Sequence, residues 1–118
     1  MKAKRLPEDA DSLVALAQGV ATVLEQKRDD LGINADVEAL LRASIASAQF
    51  AIDTYLAILA GATKSPVAAS FLAEAQTRCD RNIEQLRRRV TRSITQLCRL
   101  MDDEDLLKVA QEVLLIST

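Results

Sequence analysis

Histidine is absent from this chain of 118 residues, and its absence excludes several kinds of catalytic and metal site. A serine or cysteine nucleophile activated by histidine cannot be built. Zinc, copper and haem sites with histidine ligands are excluded for the same reason. The di-iron site of ferritin-like bundles needs a Glu-x-x-His motif on two helices, so this use of a helical protein is excluded too.

Turn-forming residues are also scarce, since the chain has 3 glycines and 2 prolines. Aromatic residues make up 3% of it, so the hydrophobic fraction of 49% consists mainly of Ala, Leu, Val and Ile. A β-protein of this length would need many more turns, whereas Ala and Leu favour helices. The composition therefore predicts one all-α domain over residues 1–118, with enough apolar residues for a core.

Capping residues mark where the predicted helices begin and end. Gly32, followed by an apolar residue, is typical of a Schellman motif at the end of the first helix. Asn34 is a favourable N-cap for the second helix, which we expect to stop at Gly61. Ser65 and Pro66 supply the N-cap and the first residue of the third helix. We expect an antiparallel four-helix bundle with helices at about 9–31, 35–60, 66–101 and 104–116, preceded by a disordered basic tail at 1–7.

The third predicted helix is long and the fourth is short. The core stripe of the third helix contains the following residues: Leu72, Ala75, Cys79, Ile83, Leu86, Val90, Ile94, Leu97 and Met101. Beyond Met101 the apolar positions point to nearly the opposite side, so we expect the chain to break or fold back at Met101 to Asp105. Asp102 or Asp103 would then be the N-cap of the fourth helix. The alternative is one continuous helix whose end packs on another chain.

The only two cysteines, Cys79 and Cys98, belong to the third predicted helix. They would lie about 28 Å apart at a rise of 1.5 Å per residue, so they cannot pair within one chain. The favoured interpretation is two reduced thiols that act as small hydrophobic side chains. A disulfide to a second chain is the alternative.

The back of the second helix is apolar where an outer helix of a monomeric bundle should be polar. Its second half is apolar or small on every side, which predicts burial on every side. We therefore expect a homodimer with two-fold symmetry, in which Phe50 is the anchor of the interface. The alternative is that the fourth helix covers this face within one chain. The expected interface residues are Ala43, Ala46, Phe50, Thr54, Ala57 and Ile58.

Arginines form a second feature, since seven of them and two acids lie between residues 76 and 101. The guanidinium group matches carboxylates and phosphates, so this stripe could engage nucleic acid or an acidic partner. Two ordinary structural interpretations compete with this one. The arginines form a solvated face with Glu74–Arg78 and Glu84–Arg88 ion pairs, or they dock against acids of a second copy. Five of the arginines share one stripe: Arg78, Arg81, Arg88, Arg92 and Arg99.

Further features favour ordinary structural roles. The acids at 102–105 do not match a calcium loop and suit a helix N-terminus, so no metal or cofactor is expected. Asp53 is expected at the flank of the core rather than inside it.

The run Ile45–Ala62 is short for a membrane span and contains a central acid. Acids after the basic start argue against a signal peptide, so we expect a cytoplasmic protein.

The leading hypothesis is a non-enzymatic helical protein that self-associates, as a dimer, and acts as an interaction or scaffold module. The alternative is an anion-binding regulatory module that uses the arginine stripe. An enzyme built only from carboxylates and arginines is least favoured, because no paired Glu-x-x-Glu motif for magnesium occurs.

Overall fold

The computed structural model describes residues 2–102, 104–108 and 111, with side chains described from Ala10 onward. Over these residues the chain is helical and contains no strand, so the all-α prediction is confirmed. Helices α1, α2 and α4 each pack against the other two. Residues 104–108 form a further helical segment. The named elements are α1 (Lys2–Leu31), α2 (Ala35–Ala62), α3 (Pro66–Ser70) and α4 (Leu72–Leu100).

Two differences concern the ends of the predicted elements. α1 begins at Lys2 rather than near residue 9, so it includes residues 2–7, for which the sequence suggested a disordered tail. The predicted fourth helix at 104–116 extends beyond the described residues, because 109, 110 and 112–118 lie outside them. The four-helix antiparallel arrangement therefore stays a prediction.

The connection between α1 and α2 forms as the sequence predicts. Gly32 has a φ of 66°, a conformation that costs an L-residue about 1 kcal/mol or more. The Ile33 amide donates to the carbonyl of Arg28 at 3.0 Å, which completes the Schellman motif. Asn34 then caps α2, since its side-chain oxygen accepts from the Asp36 amide at 2.9 Å. Both capping predictions are confirmed.

The expected stop of the second helix at Gly61 is wrong, because α2 continues to Ala62. Gly61 has no positive φ, so it does not end α2 in a left-handed conformation. A Cβ atom built on it would lie 3.3 Å from the Cβ of Ala68, so glycine lets α3 approach α2 closely. Ser65 caps α3 by accepting from the Ala68 amide at 3.4 Å, with Pro66 in the first turn, as predicted.

The predicted continuous helix at 66–101 is interrupted at Phe71, which separates α3 from α4. Phe71 has a φ of −95° and a ψ of −5°, and its amide donates to the Ala68 carbonyl three residues back. The Ser70 hydroxyl donates to the Val67 carbonyl at 2.6 Å, a local bond of the kind that competes with helical backbone bonds. The break needs no glycine or proline, so it could not be predicted from the residues that usually mark helix ends.

The expected break after the long helix is confirmed. α4 ends at Leu100, and Met101 is extended, with a φ of −115° and a ψ of 148°. Asp102 caps the next helical segment, because its carboxylate accepts from the Asp105 amide at 2.8 Å. The start of this acidic run therefore has a structural role that requires no cation.

The core consists of apolar stripes from α1, α2 and α4. Most of the predicted core positions on α4 are buried, but Ile94 is 37% exposed and Ser93 is buried in its place. Leu59, near the end of α2, is also 38% exposed. The largest side chains that are almost fully buried are Tyr55, Leu24, Leu41, Ile52 and Leu86.

Ion pairs join α2 to α1 along one flank. Arg42 bonds Glu38 on its own helix and Glu25 on α1, the latter at 2.8 Å. Arg28 on α1 reaches Glu38 at 3.4 Å. The hydrogen bond that Arg42 donates to Glu38, together with the charges of Glu38 and Glu25, raises the pKa of Arg42 above its usual value. Because this flank of α2 contacts α1, the opposite flank is available to α4.

The two cysteines should differ in reactivity. Cys79 is buried, and burial, with a smaller contribution from Asp80, raises the pKa of its thiol. Cys98 is exposed, so the expectation of two hydrophobic thiols holds for Cys79 alone. Because the thiolate is the reactive form, we expect a maleimide to label Cys98 in the folded protein and Cys79 only after denaturation. Mass spectrometry of the labelled protein checks this; equally fast labelling of both thiols would contradict the packing of Cys79.

Candidate interaction surface

The expected interface residues on α2 lie at the surface of the described structure. Phe50 is 73% exposed, which is unusual for so large an apolar side chain. Three alanines around it are exposed, while Thr54 and Ile58 are half-buried. Ile58 also packs against the core, so one edge of this face is partly covered. We call these six residues the apolar face of α2: Ala43, Ala46, Phe50, Thr54, Ala57 and Ile58.

One edge of the apolar face of α2 lies beside α4, and two separate hollows lie between these helices. The first hollow, of about 210 Å³, combines the apolar face with the start of α4. The second, of about 90 Å³, lies between the start of α2 and the second half of α4. We call these two hollows together the α2–α4 groove. The first hollow is lined by Phe50, Ala51, Thr54, Ile58, Phe71, Glu74, Ala75 and Arg78. The second is lined by Val37, Leu40, Leu41, Arg89, Arg92, Ser93 and Gln96.

Large apolar side chains remain exposed at both hollows. Phe71 is 52% exposed beside Phe50 at the first hollow, and Leu40 is 50% exposed at the second. Val67 on α3, just before Phe71 in the chain, is 68% exposed. Groups of exposed apolar side chains are typical of interaction sites in soluble proteins.

Most arginines of the stripe have no side-chain partner among the described residues. Arg78 pairs with Glu74 at 3.0 Å, as expected, but Glu84 pairs with Arg87 at 3.4 Å and not with Arg88. The expected Glu84–Arg88 pair is therefore wrong, because the carboxylate of Glu84 pairs with the guanidinium group of Arg87 instead. Four exposed arginines make no hydrogen bond or ion pair with any residue of the described ranges: Arg81, Arg88, Arg92 and Arg99.

A sixth arginine, Arg89, belongs to the site but was not expected there. It is half-buried, lines the second hollow beside Leu40, and its Nε atom is buried without a hydrogen-bond partner among described atoms. A buried, unsatisfied guanidinium nitrogen is costly, so a ligand that supplied an acceptor here would gain from it. In the helical projection Arg89 lies between the core stripe and the arginine stripe, so its position in the sequence does not assign it to the site.

The apolar face and the arginines thus meet at one surface. Arg78 lines the hollow that contains Phe50, and Arg92 lines the hollow that contains Leu40. Arg92 also borders a shallow depression on the outer side of α4, together with Arg88 and Arg99. A partner that fits this surface needs an apolar stripe for the groove and acceptors or negative charge along the α4 side.

The carboxylates considered in the sequence do not assemble into a site. In the part of the chain that the structure describes, no group of three or more Cys, Asp and Glu side chains could hold a metal ion. Asp53 is exposed and accepts a hydrogen bond from the Gln49 amide at 3.1 Å, which is the expected flank position.

Among the described residues, one helix, α2, is long and apolar enough by composition to cross a membrane. This observation is weak on its own, because core helices of soluble proteins have the same composition.

Comparison with known proteins identifies no relative: no family model, no curated protein and no solved structure matches this chain. Its function must therefore be argued from the surface described above.

Proposed function

We propose that this chain is a non-enzymatic helical interaction protein that forms a two-fold dimer through the apolar face of α2. The observation that carries the proposal is Phe50, 73% exposed among small residues on a helix whose other side is core. Burial of a phenylalanine side chain stabilises a complex by about 1.5–3 kcal/mol. The surrounding alanines would let two helices approach closely and would lose little side-chain entropy on binding.

The surface has the size that a stable dimer needs. α2 contains 28 residues and is about 42 Å long at 1.5 Å per residue. Two adjacent helices, each about 10 Å across, present a surface about 20 Å wide. Their product is a projected footprint of roughly 800 Å², which is comparable with the area that each partner buries in a standard interface.

The short connections support the finer architecture that the sequence predicted. Only residues 32–34 link α1 to α2, and residues 63–65 link α2 to α3. Short links between long helices favour antiparallel neighbours, so we propose that α1, α2 and α4 alternate in direction. The segment from residue 104 onward would be the fourth, short helix of this bundle.

Amide chemical shifts measured during dilution test where the dimer forms. At 12.9 kDa the chain is small enough for two-dimensional NMR of every backbone amide. We expect shift changes on dilution at Ala46, Phe50 and Ala57, because their surroundings change when the partner leaves. Gln18 and Gln26, exposed on α1, should not shift. Shifts that change only on α1, or nowhere at any concentration, would contradict the proposal.

The four unpaired arginines favour a second candidate function, in which α4 binds an anionic partner such as nucleic acid. Arginines without internal partners are available to phosphates, and polar Thr and Gln side chains lie between them on the outer side of α4. The sequence pI of about 5.1 makes this the less favoured function, since such proteins are usually basic.

Binding to a fluorescein-labelled DNA duplex separates the two functions. If α4 binds nucleic acid, anisotropy should rise at low salt, and the affinity should fall steeply with salt, at a slope of about −0.9 per phosphate contact. Arg88→Glu with Arg92→Glu should then abolish binding. If the chain is a dimerising scaffold only, the wild-type anisotropy should stay flat at 50 mM salt.

A further inference from the structure

The second hollow of the α2–α4 groove has an apolar wall and a polar wall. Three apolar residues of α2 form the first wall, and Leu40 among them is 50% exposed. Two arginines, a serine and a glutamine of α4 form the second wall. None of the described residues that line this hollow is an acid, so its two positive charges are not compensated there.

The guanidinium groups of the polar wall have no partner in the part of the chain that the structure describes. Arg92 is exposed and makes no hydrogen bond or ion pair there. Arg89 is half-buried, and its Nε atom is enclosed without an acceptor. A guanidinium group has five N–H donors in one plane, and it commonly bonds a carboxylate through two of them. Two such groups at one hollow favour a ligand with anionic oxygen atoms.

Ser93 adds a hydroxyl group that the fold does not use. Elsewhere on α4 the hydroxyls of Thr77, Thr91 and Thr95 each donate to the carbonyl four residues earlier, at 2.9 to 3.0 Å. Ser93 makes no such bond with any described residue, although it is only 4% exposed. Among described atoms, the Nε of Arg89 is the one enclosed side-chain nitrogen or oxygen without a partner. The unpartnered oxygen of Ser93 must therefore be accessible, and the hollow is the open space that Ser93 borders.

The volume of the hollow limits the ligand to a small group. It is about 90 Å³, whereas pockets that enclose drug-sized ligands have roughly 300 Å³ or more. A nucleotide or a coenzyme would not fit. Inorganic phosphate would bond the donors of α4 but would leave the apolar wall exposed. A carboxylate on a short hydrocarbon stem matches both walls, because the stem removes Leu40 from water.

We propose that the second hollow binds a carboxylate carried on a short hydrocarbon stem. The carboxylate bonds the guanidinium groups of Arg89 and Arg92 and accepts from the hydroxyl of Ser93, while the stem packs on Leu40. A free organic acid and a glutamate side chain of a partner protein present the same group. The hollow contains no residue of the apolar face of α2, so this inference does not rest on the proposed dimer.

Butanoate is the probe for this site, because it combines a carboxylate with a short apolar stem. It is titrated into the isotope-labelled full-length chain at constant ionic strength and protein concentration, and two-dimensional NMR follows the amides. We expect saturable shifts at Leu40, Ser93 and Gln96, with a dissociation constant on the order of 1 mM for so small a ligand. Gln18 on α1 should not shift.

Two further small ions test the chemistry of the two walls. Butylammonium has the same stem with the opposite charge, and it should not bind beside two guanidinium groups. Phosphate has the negative charge without the stem, and it should bind at least about fivefold more weakly than butanoate, since no apolar surface is buried.

Arg89→Met is the decisive variant, because methionine keeps much of the length of the side chain and removes the charge. We expect it to weaken butanoate binding at least about tenfold. Its melting temperature should equal or exceed that of the wild type, because an enclosed nitrogen without a partner is removed. Ser93→Ala removes a single oxygen atom and should weaken binding about threefold. Arg81→Met is the matched control: it removes the same charge at an exposed arginine that lines neither hollow, so it should bind as the wild type does.

The results separate the site from general attraction of anions to α4. Saturable binding that Arg89→Met loses and Arg81→Met keeps would support the proposal. Absence of saturable shifts, equal binding by these two variants, or tighter binding of phosphate than of butanoate would overturn it.

A comparison with N-acetylglutamate α-amide identifies the source of the carboxylate. Tighter binding of this compound than of butanoate would support a side chain of a partner protein, and weaker binding would support a free acid. None of these results depends on the mass of the chain in solution. A wild type that is monomeric would overturn the proposed dimer and leave this site standing.

Discussion

Phe50→Glu should convert the dimer to a monomer without unfolding the chain. Phe50 lies at the centre of the apolar face of α2, where a buried aromatic anchor contributes 2 kcal/mol or more to binding in typical interfaces. A charge in its place would be buried without a partner. We expect the dissociation constant to rise at least about thirtyfold, measured by sedimentation equilibrium. The helical signal in circular dichroism should not change, because Phe50 is 73% exposed in the single chain.

Gln26→Glu is the matched control for this experiment. It changes the net charge by the same amount at an exposed position on α1, away from α2–α4 contacts. We expect the control to dimerise as the wild type does. If Phe50→Glu stayed dimeric, the interface would lie elsewhere; if it unfolded, Phe50 would be part of the core rather than of a surface.

Leu86→Ala should destabilise the fold far more than Ile94→Ala, although the sequence placed both residues in the core stripe of one helix. Leu86 is fully buried, and its truncation leaves a cavity that costs about 2–5 kcal/mol. Ile94 is 37% exposed, so its truncation should cost about 1 kcal/mol or less. The free energy of unfolding, from guanidinium titrations at one protein concentration, gives both values.

The protein concentration must be equal in these titrations, because dimerisation stabilises the folded state by mass action. Equal losses for the two variants would contradict the register of α4, and in particular the burial of Ser93 in place of Ile94. A small loss for Leu86→Ala would contradict the packing of α4 against α1 and α2.

The parts of the fold that depend on local chemistry could be predicted from the sequence. Gly32 ends α1 with a positive φ, and Asn34, Ser65 and Asp102 accept the backbone bonds expected of N-caps. Each of these features needs only a few neighbouring residues, so their side-chain chemistry was sufficient to identify them.

Features that depend on how helices meet could not be predicted in the same way. The break at Phe71 follows from backbone and hydroxyl hydrogen bonds in α3, which packs closely on Gly61, and no glycine or proline marks it. Glu84 pairs with Arg87 rather than with Arg88, although both arginines lie at helical spacings that suit an ion pair.

The candidate site was predicted as two separate features for the same reason. A helical projection gives the side of a helix on which Phe50 or Arg78 lies, but not which neighbouring helix stands beside it. The position of α4 along one flank of α2 brings these two residues into one hollow. Arg89 entered the site only because α2 approaches it with Leu40 and leaves its Nε buried.

The mass of the wild-type chain in solution tests the central claim most directly. Light scattering on a sizing column at low and high salt gives this mass without any substitution. We expect twice the 12.9 kDa of one chain at both salt concentrations, because an apolar interface anchored by Phe50 is not weakened by screening. A mass of 12.9 kDa under both conditions would contradict self-association and leave the unpaired arginines of α4 as the basis of function.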